Sequence, residues 1–219
     1  MVKHLLFTKV LLILLYPYIS NSMTMYFNNM IKPTFLSCNK IMRTLIINDK
    51  EMPSVYIKDN LHHNMNENIM KSLYSMEHIY PRSFLNKKQH NDMHNIIKTT
   101  NILNVNRSNY YYIDELYENP NWIRLNYDNY VNHRNKLFLP NQYSRGFIAR
   151  AILYMTKEYD YDPNKIINKN TLAKWFFEHP PTKNEKYHNE VIGKIQGTNN
   201  IFISNYKRTS YMSRFIDTL

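Results

Sequence analysis

Between Met76 and Asn109 the chain collects side chains suited to phosphate chemistry. A carboxylate stands beside an imidazole (Glu77, His78), an imidazole beside an amide (His94, Asn95), then come a lone amide (Asn104) and a basic, amide-rich end (Arg107, Asn109). A hard divalent cation takes oxygen ligands such as a carboxylate and an amide carbonyl, and it keeps several waters of its own. A neutral imidazole close by can accept a proton near pH 7.

These groups can act together only if local structure brings them to one place. Ile79 and Tyr80 are β-prone and end at Pro81, Met93 with Ile96 and Ile97 marks a second short run, and the polar stretch between reads as a long hairpin loop. Thr99 to Arg107 reads as a short helix. Two strands followed by a helix would let Glu77 and His78 face Asn104 across one metal. Adjacent strand residues point to opposite faces, so both can serve one site only where the strand end is twisted or bulged.

Three blocks in this stretch resemble the endonuclease I family of secreted or periplasmic non-specific nucleases with a ββα-metal (His-Me finger) site. They are Glu77-His78-Ile79-Tyr80-Pro81, Asp92-Met93-His94-Asn95 and Asn104-Val105-Asn106-Arg107-Ser108-Asn109. The resemblance implies that Glu77 and Asn104 hold one Mg²⁺, for which Mn²⁺ may substitute, and that His78 is the general base. It further implies cleavage of DNA, and of RNA as an open alternative, to 5′-phosphate ends. Arg107 is the expected phosphate clamp. Asn95 and His94 join it as substrate contacts, and Arg145 and Arg150 either do the same or pair with acids in the helical half.

At 219 residues and 43% hydrophobic the chain can bury one sizeable core, and its length favours a single domain. A formal net charge of +11 points to an anionic partner, although a coding bias that inflates Lys, Asn, Tyr and Ile reads the same way. Lys3 and Lys9, the apolar run Val10 to Leu15 and the small residues Ser20-Asn21-Ser22 read as a signal peptide over 1–22, with an uncleaved anchor as the other reading. The run is shorter than the ~20 residues a membrane-spanning helix needs, so no stable membrane association is expected once the leader is cut. Cys38 stands alone, which excludes an intramolecular disulfide and leaves a buried thiol or intermolecular pairing.

From Met23 to Ser75 no family landmark is visible. Thr44 to Ile47 and Ser54 to Ile57 read as strands, and Leu61, Met65, Ile69 and Leu73 form a core-facing stripe on a helix over 60–74, whose adjacent His62 and His63 read as solvated, with metal binding as the other reading. The loop with Arg82, Lys87 and Lys88 is either a phosphate-holding mouth or an ordinary solvated loop; His90 suggests no partner. Tyr110 to Asn141 reads as an irregular cover. Three helices should follow: one capped by Ser144, one from about Asn170 that buries Leu172, Trp175 and Phe176, and one capped by Thr182 with Glu185 and stopped at Gly197. The family likeness covers roughly residues 77–203, with His188 standing where the family usually shows Arg.

The expected fold is α+β, with residues 23–219 as one nuclease domain, monomeric, secreted and acting on nucleic acid. A secreted basic protein that binds nucleic acid without cutting is the alternative. Loss of the base or of a ligand would mark it, and neither is missing.

Overall fold

The computed structural model describes residues 52–57, 73–206 and 209–219, all within the unit Leu45–Leu219. The expected leader, Cys38, His62, His63, the strand at 44–47 and all of the 60–74 helix except its last two residues lie outside the described residues. Of that stripe, Leu73 is described and is 42% exposed, so it is not core, and Tyr74 already opens a strand.

Strand β1 (Tyr74–His78) pairs antiparallel with β2 (Ile96–Thr100), setting Glu77 opposite Ile97 and His78 opposite Ile96. The first strand stops at His78 rather than at Pro81, and the side chain of Asn95 gives the reason. Its Oδ1 accepts from Tyr80 N at 2.7 Å and its Nδ2 donates to the Tyr80 carbonyl at 3.0 Å, so an amide replaces the strand partner and the chain bends. Ile79 and Tyr80 are buried in that bend instead of extending the sheet. The loop to β2 carries two single 3₁₀ turns, Arg82–Phe84 and Lys87–Gln89.

Helix α1 (Asn101–Arg107) follows β2 directly. Thr100 caps it by accepting from Leu103 N at 3.3 Å, and Ser108, at φ 52°, ends it. The helix packs back across both strands, burying Leu103 and Arg107.

The stretch expected to be an irregular cover is instead a sheet of four short strands. These are β3 (Tyr111–Tyr112), β4 (Ile123–Leu125), β5 (Asn129–Asn132) and β6 (Leu137–Leu139), in the order β3-β6-β5-β4. Runs of two to four residues are too short to carry a usable alternation. Their buried amides stitch the turns: Asn129 Nδ2 donates to the Asn126 carbonyl at 2.7 Å, and Asn132 Oδ1 accepts from Asn135 N at 3.0 Å.

Helix α2 (Gln142–Tyr159) crosses the core with Ile148, Ile152 and Met155 fully buried. Asn141, not Ser144, is its cap, accepting from Ser144 N at 3.1 Å. Helix α3 (Lys169–Glu178) buries Leu172, Trp175 and Phe176 as expected. Helix α4 (Lys183–Gln196) is capped by Thr182 and stops at Gly197, whose φ of 84° suits glycine. Glu185 does not complete a capping box, because its carboxylate is drawn to Arg150. Short α5 (Ile201–Ser204) and α6 (Thr209–Asp217) close an α+β fold.

Candidate active site

Asn104 lies one helical turn before Arg107, and both project from α1 onto β1. The Asn104 amide nitrogen donates to Ser75 Oγ at 2.8 Å and to the Met76 carbonyl at 3.2 Å. A carbonyl can only accept, so the nitrogen is identified by its partners and Oδ1 is the atom left for a cation. Ser75 and Glu77 share one face of β1, which places the Asn104 amide and the Glu77 carboxylate on the same side of the hairpin.

Glu77 is almost completely buried. Tyr56 donates its hydroxyl to Oε1 at 3.0 Å. Arg107 Nε comes within 3.3 Å of the same oxygen, but its N–H is not aimed there, so that contact is Coulombic rather than a hydrogen bond. Burial pushes the carboxyl up to about 7, against the pull of Arg107 and of the hydrogen bonds from Tyr56 and the His78 backbone. A cation on this carboxylate would offset that desolvation, and with the Asn104 carbonyl it would meet an oxygen-only donor set of the kind Mg²⁺ takes.

His78 is the last residue of β1, where strand alternation no longer dictates direction. Its Nε2 stands 2.8 Å from the main-chain carbonyl of His90. The carbonyl requires a proton on Nε2, which leaves Nδ1 as the basic nitrogen of the neutral ring. Burial lowers the His78 pKa, and Arg82, His90 and Arg107 lower it further against the His90 hydrogen bond, so the ring is neutral at pH 7. Arg107 therefore touches Glu77 and also acts on His78.

A buried carboxylate, an oriented amide oxygen and a neutral imidazole lie around one two-stranded hairpin and its helix, groups of the kind hydrolysis needs. The family model for Endonuclease I matches residues 3–207. The chain belongs to the endonuclease I family. No curated relative matches it.

The family match starts far upstream of Glu77, so it includes the stretch before Ser75 in which the sequence shows no landmark. Within this endonuclease I chain the residues expected to contact substrate take structural partners. Arg107 is fully buried, donating to the Ile79 carbonyl at 2.7 Å and to the Ser108 carbonyl at 2.8 Å. His94 is interior, with Nε2 2.7 Å from the Thr198 carbonyl, and Asn95 is consumed by the Tyr80 bend. Arg150 makes a two-pronged contact with Glu185 at 2.5 and 2.7 Å, and Arg145 reaches Asp114 at 3.1 Å. Arg150 thus takes the pairing with an acid of the helical half, whereas the acid that half-buried Arg145 reaches lies outside that half, after β3. The guanidinium of Arg150, neutralised in the interior, has no free charge to offer a phosphate.

Two further polar contacts involve the loop between β1 and β2. Arg82 Nε donates to His90 Nδ1 at 3.3 Å, and Asn109 reaches Ser83 at 3.4 Å. The part played by His90 comes from its backbone, which no residue-type signal could reveal. Tyr56, far from any motif, was equally invisible. Among the described residues no three His, Cys, Asp or Glu side chains cluster as a metal site, and no helix is long and apolar enough to cross a membrane.

Proposed function

We propose that this family member is a Mg²⁺-dependent endonuclease, largely indifferent to sequence, that hydrolyses phosphodiester bonds in DNA, with RNA as the alternative substrate. Glu77 and Asn104 hold the ion, with Mn²⁺ able to substitute. When bound, the ion supplies charge neutralisation at the phosphate and the leaving oxygen. His78 Nδ1 takes the proton of the attacking water, giving 5′-phosphate ends, and the His90 carbonyl keeps the ring in the tautomer that allows it. Arg82, exposed beside His90, offers a cation to the nucleic-acid backbone without reading sequence.

The observation that carries this reading is the tethering of Asn104 beside Glu77 at the end of β1, with the His78 ring set by a carbonyl. Secretion as a monomer, following a leader at 1–22, belongs to the same reading. The test is plasmid nicking: Mg²⁺ should support it, EDTA should stop it, and Glu77→Ala should abolish it. Cleavage that survives exhaustive chelation overturns the assignment.

A further inference from the structure

The segment 52–57 runs beside β2, with the Val55 N–H donating to the Lys98 carbonyl at 3.0 Å, and Tyr56 on it adopts a backbone conformation that aromatic residues avoid, with φ at 66°. Such a conformation persists only where its surroundings over-determine it, and it clusters at functional sites. Here the surroundings are drawn from three places. The Tyr56 N–H donates to Ser144 Oγ at 2.7 Å, its carbonyl accepts from Asn129 Nδ2 at 2.8 Å, and its ring packs edge-on against Phe138 at 4.9 Å. Helix α2 and strand β5 thus fix the backbone of Tyr56, and strand β6 packs against its ring.

That side chain has two polar contacts. Its hydroxyl donates to Glu77 Oε1 and lies 2.6 Å from the Tyr112 hydroxyl. A phenol has one proton, so with Glu77 ionised Tyr112 is the donor of the second contact. Because the N–H of Arg107 Nε is not aimed at Oε1, Tyr56 supplies the one side-chain hydrogen bond to that oxygen among the described residues.

We infer that Tyr56 is a positioning residue for Glu77, gripping Oε1 so that Oε2 is the oxygen offered to the divalent cation. The inference rests on the metal reading above and adds a residue from outside every recognisable motif. Groups that orient a metal ligand typically change metal affinity or activity by about 10–100-fold when removed.

The full chain is titrated with Mn²⁺ and followed by electron paramagnetic resonance without DNA, and nicking is then measured across Mn²⁺ concentrations. Tyr56→Phe should weaken Mn²⁺ binding by about 10–100-fold while the KM for DNA at saturating Mn²⁺ stays unchanged. Its lost activity should return as Mn²⁺ is raised, which a packing defect would not allow. Tyr112→Phe also deletes a buried hydroxyl but leaves the bond to Glu77, so it should weaken Mn²⁺ less. Wild-type Mn²⁺ affinity in Tyr56→Phe, or an equal loss in Tyr112→Phe, overturns the inference. Glu77→Ala separates the two levels of the argument. If it keeps wild-type Mn²⁺ affinity, the metal reading fails and the role of Tyr56 falls with it. If it loses Mn²⁺ while Tyr56→Phe does not, the role of Tyr56 alone is wrong.

Discussion

His78 and Arg150 show how far residue type determines role. Both are cationic-capable side chains in a basic nuclease, yet one is held by a carbonyl at a strand end and the other is locked to Glu185. His78→Ala should lower cleavage by ~10²–10⁴-fold while Mn²⁺ affinity is retained, because a base is lost and no ligand is touched. Free imidazole should restore part of the activity of His78→Gly, and cleavage within a few-fold of wild type in His78→Ala would reassign the base. Arg150→Ala should instead cost stability, ~3–5 kcal/mol, since it strands a buried carboxylate. Urea denaturation reads that loss. Folded Arg150→Ala should bind DNA as wild type does, and a large loss of affinity without destabilisation would return Arg150 to the substrate surface.

At the scale of elements, the junction of α2 with the end of α3 depends on Gly146. A Cβ there would collide with the His179 carbonyl oxygen and crowd Arg150 Nη2 at 2.7 Å. The carbonyl is backbone and cannot swing away. The same carbonyl accepts from Arg150 Nη1 at 2.5 Å, so glycine lets two helices close around the Arg150–Glu185 pair. Gly146→Ala should destabilise by ~1–3 kcal/mol, as overpacking does, despite the higher helix propensity of alanine. A Tm equal to or above wild type would show that the junction has slack.

For the whole molecule, the interior histidines set an acid limit. His188 on α4 is buried, neither ring nitrogen is well aimed at a hydrogen-bond partner among the described residues, and its ring packs edge-on against Phe147 at 5.8 Å. Burial pushes its pKa down to about 3, helped by His94 from the loop and Lys98 from β2, and opposed by the Ile96 backbone. The unfolded chain takes a proton at His188 near pH ~6.5, whereas the folded chain does so only near 3. Between those values the unfolded state holds more protons. Stability contributed by neutral His188 is therefore full above ~6.5 and declines as pH falls, by ~1.4 kcal/mol per unit. His188→Leu should flatten the acid limb of a urea stability profile over that window, and an unchanged limb would place the sensitivity elsewhere.

The candidate site was legible as a local grouping, because Glu77, His78 and Asn104 sit within one hairpin and helix whose order is that of the chain. The helices of the C-terminal half were legible for a similar reason: Thr182, Gly197 and the Leu172–Trp175–Phe176 face act over a few residues. Polar side chains were legible only as types. Whether Arg107 faces a phosphate or Ile79, and whether Asn95 contacts substrate or ends a strand, depends on which groups are desolvated together. The four-stranded sheet and Tyr56 lay beyond reach for the same physical cause. Their strands are too short for periodicity, and the bonds from Tyr56 to Glu77 and Ser144 span 21 and 88 residues. The local sequence determined the chemistry on offer; tertiary packing, by choosing which buried polar groups satisfy one another, decided which residues are left to perform it.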